Sequence, residues 1–501
     1  MKKLLNFTLF LSICLMPQVG KTQLNRQWVN EYTTADTAYM NVIGLFDAGS
    51  GNVIKATLIT KYTSPDAYNR LMLQKISPAG SIIWQEIYQH PLYEQFYLYK
   101  GGIDQQGNTY FSGQLTISPQ DANWFVISFD SNGQERWQKG IVENIYTSGG
   151  SQKCVTDANG NTYVSGNVND IGLSLGAIVK YDNLGNEQWV KYDTLSWTYG
   201  ADMVIASNGD LIACDGNYEL TRFAPNGQVL WSTPDTADFV YASPGITEAP
   251  DGSIYALSFM NYSYSLKKLN ANGVFQWNQT QFAQNLVFGD NNVDVVADSD
   301  NFIYLSGINS TDPAEYQTSV FKFNPSGTEV WRQEFSNEVY DVTDLILLPN
   351  GNPVVAASTG APYYPEVYLL NKQDGAVIDS DSLPAGGNQS ILLHNQSGLF
   401  MASTGDFATM LAHYDNTLSI GENEGENELL IYPNPFSEEI TVQTKMENAQ
   451  FECLDLSGKM ISTGKLSMNG NIRLPNLASG TYIFKLTTND GQVVTRRIVK
   501  N

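Results

Sequence analysis

The sequence predicts an all-β fold: a β-propeller with eight blades, or seven if one weak unit is a decoration, followed by a small Ig-like β-sandwich. Three observations lead to this prediction. Short segments that alternate apolar and polar residues recur along the chain, among them "FVISFD", "AIVKYD", "VFKFN" and "VYLLN". Each runs into a tight turn that Asp or Asn opens and Gly closes. In six copies a Trp stands four residues after that Gly: Gly80/Trp84, Gly133/Trp137, Gly185/Trp189, Gly227/Trp231, Gly273/Trp277 and Gly327/Trp331.

Each element of the repeat has a physical reading. Alternation with period two marks a strand with one buried face. Asp or Asn opens the turn, and Gly takes the positive-φ position without steric cost. A second hairpin precedes each of these, as in "DQQGNTYFSG" (Asp104 to Gly113) and "DANGNTYVSG" (Asp157 to Gly166). An apolar or aromatic residue follows each such turn, at Ile54, Tyr110, Tyr163, Ile212, Tyr255, Tyr304, Val354 and Met401, about 50 residues apart on average. Four strands per unit at that period fit a propeller blade. A solenoid needs shorter rungs, and a string of sandwiches needs about twice the length per unit.

Two departures from the pattern predict how the ring closes. The copy at Gly375 carries Asp379 where the others carry Trp, and the last unit, ending in "MLAHYDNTLSI" (Met410 to Ile420), lacks the Gly/Trp hairpin. Near the N-terminus, "RQWVNEYT" resembles the Trp-bearing strands "EQWVKYDT" and "ERWQKGI". Residues 26–33 are therefore expected to be the outer strand of the last blade, which removes an open sheet edge. The six Trp are expected to pack between neighbouring blades as scaffold, each burying roughly 200 Å² and contributing on the order of 5 kcal/mol.

At fold level the Gly/Trp unit resembles the repeats of quinoprotein-type (PQQ-like) propellers. It also resembles the Asp-box of sialidases, with different spacing: Asp130–Gly133 and Asp182–Gly185 are one residue closer than the quinoprotein pattern. This resemblance implies architecture and no activity.

Composition bounds the function. Of 501 residues, 51 are acidic and 28 basic, a net charge of −23. Basic clusters for phosphate contacts are missing, so nucleic acid is not an expected partner. "MKKLLNFTLFLSICLM" sets Lys2 and Lys3 before an apolar run and reads as a secretory signal peptide over residues 1–22. Ile13 is bulky where a lipoprotein signal places a small residue, so no lipid is expected on Cys14. No other stretch is apolar enough to span a membrane. The remaining cysteines, Cys154, Cys214 and Cys453, are odd in number and are expected to be buried free thiols.

The propeller is expected over residues 23–420, an acidic linker "GENEGENE" over 421–428, and a second domain over 429–501 with six or seven short strands. In that domain Tyr432-Pro433-Asn434-Pro435, "LSGKMI" around Gly458, "LASGTYIFKL" with Gly480 and Tyr482, and "GQVVTRRIVK" from Gly491 carry a specific resemblance. They resemble the type A C-terminal sorting domain of the type IX secretion system of Bacteroidetes. The resemblance implies export through the outer membrane by that translocon, removal of the tail, and release or attachment to surface polysaccharide.

Catalytic motifs are absent. Only His90, His394 and His413 are present, none in HExxH, and there is no GxSxG, P-loop or GxGxxG after a strand. "DANGN" (Asp157 to Asn161) starts like a Ca²⁺ loop, but Thr162 stands where the Gly should and no Glu closes it. No metal, cofactor or catalytic residue is therefore assigned. "NYSYSL" (Asn261 to Leu266) and "APYYPEVY" (Ala361 to Tyr368) place Tyr where a glycan or protein could stack. Two functions remain open: a monomeric, secreted or surface-displayed module that binds glycan or extracellular protein, and an extracellular hydrolase, lyase or oxidoreductase with its site in the central channel.

Overall fold

The computed structural model describes residues 24–415, apart from 34–37, 63–66, 93–94, 119–120, 141–150, 171–172, 194–201, 215–218, 234–241, 261–262, 285–293, 313–314, 336–338, 360–363, 384–386, 388 and 406. It also describes 429–500, apart from 433–435, 445–448, 455–459, 467–469, 475–476, 479 and 488–492. The expected leader and the acidic linker lie outside the described residues.

The chain divides into two compact units, Met1–Asn416 and Thr417–Asn501. Among the described residues of the first are eight four-stranded antiparallel sheets. Blade 1 is typical, running Tyr39–Asp47, Val53–Lys61, Tyr68–Ile76 and Ile82–Tyr88 from the inside outwards. The innermost strands of blades 2 to 8 are Phe96–Ile103, Ser151–Thr156, Met203–Ile205, Ala242–Glu248, Val295–Ala297, Val339–Leu347 and Gln389–Asn395. Each innermost strand contacts the next, and that of blade 8 contacts that of blade 1, so the ring is closed. The protein is an eight-bladed β-propeller with a β-rich tail.

Closure takes the expected route. Arg26–Thr33 pairs with Ala408–Asp415 as the outer strand of blade 8, with Val29 opposite Ala412 and Tyr32 opposite Thr409. This pairing ties the first described strand to the last one of the propeller and holds blade 8 to four strands like the others.

Between each pair of neighbours lies a separate apolar cluster built from facing sheet surfaces. Leu58, Leu73, Phe111 and Phe125 fill the space between blades 1 and 2, and Leu257, Leu266, Leu305 and Phe321 that between 5 and 6. Between 8 and 1 the filling is Val42, Leu45, Phe400 and Leu411. Burying whole sheet faces is why these strands read as near-continuous apolar runs: Val53–Lys61 and Pro353–Thr359 are buried along almost their whole length.

The tail unit consists of two sheets, one of Leu429–Tyr432, Glu439–Thr444 and Asn471–Arg473, the other of Met460–Lys465, Gln450–Leu454, Gly480–Thr487 and Val493–Lys500. Ile440, Val442 and Ile472 from the first share one core with Phe451, Phe484, Leu486 and Ile498 from the second.

Candidate functional site

The repeat residues assemble into joints between blades. Trp137, on the outer strand of blade 2, lies against Gly185 in the last turn of blade 3, and its Nε1 donates to the Asn183 carbonyl at 3.0 Å. The same relation links Trp189 to Gly227, Trp231 to Gly273, Trp277 to Gly327 and Trp331 to Gly375, each indole donating to a carbonyl of the next turn. Trp84 lies on Gly133 without an acceptor for its Nε1. In three joints a lysine shares the indole's acceptor: Lys180 and Trp189 both donate to Pro225 O, Lys268 and Trp277 to Pro325 O, and Lys322 and Trp331 to Lys372 O. Tyr163, Tyr255 and Tyr304 complete these joints, with ring centroids 5.8–5.9 Å from the indoles.

The indoles are less covered than the sequence implies. Trp331 is buried, but Trp84, Trp137, Trp189, Trp231 and Trp277 are half-buried. They occupy the outer margin of the inter-blade layer, whose interior is filled by aliphatic residues, Phe and Tyr. Trp28 on the N-terminal strand covers Gly80 and donates to Pro78 O at 2.8 Å, which carries the joint across the closure. Asp379 takes the Trp position where blade 7 meets the strand that begins the chain, and its Oδ2 accepts the Leu24 amide at 2.7 Å.

The innermost strands and the residues beside them carry charged groups. Lys153 of blade 3 is paired at 2.5 Å with Asp202, next to the first strand of blade 4. The same ammonium feels the Asp294 carboxylate of blade 6. The Asp202 carboxylate, before desolvation and Asp294, is the largest influence, and the balance raises the Lys153 pKa. Asp202 and Asp344 also have structural duties: their Oδ2 atoms accept the Ile246 and Leu392 amides of the next blade's inner strand, at 2.8 and 2.7 Å. Such caps satisfy amides on an inner edge that has no further strand to pair with.

The described histidines and cysteines sit in separate surroundings. His413 is stacked on Phe400 at 4.4 Å with Nε2 near Ser397 O, and burial lowers its pKa. His90 packs edge-on against Phe125 and is lowered by the same cause. His394 lies on the inner strand of blade 8. Cys154, Cys214 and Cys453 are buried thiols, and burial pushes Cys154 up to about 12. Among the described residues no group of three His, Cys, Asp or Glu could hold a metal ion. Asp157 spends both carboxylate oxygens on Asn159 and Asn161.

One face of the ring bears an aromatic surface that sequence reading missed. Tyr39, Tyr62 and Phe407 are 47%, 64% and 49% exposed. The Tyr39 ring stands 5.4 Å from that of Tyr62 and 5.3 Å from that of Phe407. Tyr39 begins the inner strand of blade 1, Tyr62 follows its second strand, and Phe407 lies between the second and third strands of blade 8. All three therefore emerge on one face. Tyr97 and Tyr99 lie at the start of blade 2's inner strand, on the same face. Of the Tyr-rich stretches singled out in the sequence, Tyr364 is exposed, and residues 261–262 and 361–363 lie outside the described ones. A cleft of about 490 Å³ among the turns of blades 1 and 2 includes Asp47, Lys75, Asp104 and Gln106. It opens on the opposite face, where Asp47 ends the strand that Tyr39 begins. Asp104 is committed to the Asn108 amide and the Tyr110 hydroxyl.

In the tail, Tyr432 ends a strand opposite Thr441, Gly480 begins another, and buried Tyr482 donates from its hydroxyl to Ala478 O at 2.9 Å. Pro433, Asn434, Pro435, Gly458 and Gly491 lie outside the described residues. Residues 430–501 match the family described as the secretion system C-terminal sorting domain. The tail is a type IX sorting domain. The sorting domain indicates export by the type IX system to the extracellular space or the cell surface. No helix among the described residues is long and apolar enough to cross a membrane.

No curated protein matches the chain. Solved structures with a similar course include the Dos1 propeller, at 10% identity and TM-score 0.49, over 78% of this chain and 95% of that one. A eukaryotic initiation factor matches at 10% and 0.43, over 71% and 85%. BBS1N in complex with ARL6DN matches at 10% and 0.40, over 62% and 88%.

Proposed function

We propose that the propeller is a non-catalytic module that binds polysaccharide outside the cell, and that Tyr39, Tyr62 and Phe407 form its platform. The exposed ring cluster carries this reading. Three large rings that contact one another yet remain about half open to water are costly on a free surface and suit the apolar faces of sugar rings. They come from two blades that meet at the closure, beside the aromatic start of blade 2, so the platform is wider than one sugar. We propose further that the chain acts as a monomer, and that removal of the sorting domain at residues 421–428 leaves the propeller released or held on the surface.

The test is retention of the purified protein on soluble β-glucan, xylan, mannan and starch in affinity electrophoresis. At least one should retard the protein, and Tyr39→Ala/Tyr62→Ala should weaken that binding at least tenfold, since each stacked ring contributes about 1 kcal/mol. Binding unchanged in the double variant, or retention by none of the four, would refute the platform.

A second reading places catalysis in the channel, with the paired Lys153 and Asp202 as its charged groups. An ammonium held protonated by carboxylates is a poor general base at neutral pH, which favours the binding module. Release of reducing ends from the same polysaccharides, abolished by Lys153→Met, would reverse that preference.

A further inference from the structure

The sorting domain must meet the export machinery, and among its edge strands Met460–Lys465 begins with exposed apolar side chains. Strand Met460–Lys465 is at the end of its sheet, bonded to Gln450–Leu454 on one side only. Met460 and Ile461, its first two residues, are 50% and 42% exposed. Both are large apolar side chains held open to solvent. They close the "LSGKMI" stretch, so this part of the sorting signature is not spent on the core, which is built from Phe451, Phe484 and their neighbours. At the sheet's other edge, Val493–Lys500 has a bridge between Lys500 and Phe436, and the Lys500 ammonium lies 5.4 Å from the Phe436 ring.

An uncovered strand with exposed apolar residues is a template for pairing with another chain, and soluble proteins ordinarily blunt such edges with charge, Pro or a covering loop. We propose that Met460–Lys465 is the docking edge of the sorting domain, and that the export machinery adds an extended apolar segment to it as a further strand. Main-chain hydrogen bonds along the edge hold that segment, and contacts with Met460 and Ile461 fix its register.

The experiment uses the full-length chain in a bacterium with a working type IX system. Met460→Glu/Ile461→Glu is expected to lower the extracellular protein at least tenfold and to accumulate it behind the outer membrane. Met460→Leu/Ile461→Val should be exported like the original. Should the charged pair disturb the tail's own fold, seen as rapid tryptic loss of residues 430–501, Met460→Thr/Ile461→Thr decides by the same reading, because Thr keeps a strand. Export of the charged pair, or of a folded Thr pair, within twofold of the original would overturn the proposal.

Discussion

Trp137 of blade 2 covers Gly185 of blade 3 so closely that a Cβ on that glycine would stand 2.6 Å from the indole Cδ2. Gly185 also has φ of 80°. Two independent constraints thus select glycine, the left-handed turn and the neighbour's indole. The spacing of Gly and Trp within one unit is a by-product: each Trp serves the glycine of the following unit.

Gly185→Ala should therefore destabilise the propeller by about 2–4 kcal/mol, from strain at positive φ and overpacking against the ring. Urea unfolding of this variant, of Trp137→Ala and of the double variant tests the contact. Removing the indole relieves the clash, so the double variant should lose less than the sum of the singles. Simple additivity would contradict the placement.

The indoles should contribute less than fully buried ones. Trp137→Ala is expected to cost about 1–3 kcal/mol because the ring is half-buried, whereas Trp124→Ala, 1% exposed, should cost about 3–5 kcal/mol. Equal losses for the two would show that the joint does more than its covered area allows.

Lys55 gives a pH signature. Its ammonium is fully buried between blades 1 and 8, donates to Thr409 Oγ1 at 2.9 Å, and lies 3.5 Å from the Tyr32 ring centroid. Across its own sheet stand the uncharged Leu45 and Gln74. Desolvation holds its pKa well below 10.5. The unfolded chain then binds more protons than the folded one between the lowered value and 10.5, so this group makes stability rise with pH in that window. Lys55→Met should be more stable than the original at pH 7 and should flatten the rise between pH 7 and 9.5. A steeper rise in the variant would reverse the sign.

Thiol accessibility follows from burial. Cys154 is pushed up to about 12 and Cys453 up to about 11 by desolvation. A disulfide reagent at pH 8 should label neither until urea unfolds the chain. Rapid labelling of the native protein would show that these sites open.

Removing residues 24–33 should abolish a single cooperative transition. Blade 8 would lose its outer strand, and with it Trp28 on Gly80 and Leu24 on Asp379. Calorimetry of the truncated chain checks this, and a sharp transition at the original temperature would count against closure by this strand.

Much of the architecture was legible because it is local. A tight turn, an alternating strand and a Trp at fixed spacing are short-range features, and six copies of the full set point to one repeated unit. Even the closure was readable, because "RQWVNEYT" copies a strand the last unit lacks. The aromatic platform was not legible. Tyr39, Tyr62 and Phe407 are separated by up to 368 positions, no motif joins them, and the Tyr-rich stretches that drew notice lie elsewhere. The ion pair of Lys153 with Asp202 was hidden for the same reason, since 49 positions separate its partners and it joins two blades.

By itself the sequence determined the all-β repeat, the turn chemistry and the export tail, because each is written in neighbouring residues. Only the tertiary structure decided which glycine each Trp covers, why Asp379 replaces one of them, and which rings remain open to solvent. Those depend on pairing residues 26–33 with residues 408–415, and distance along a chain carries no record of that meeting.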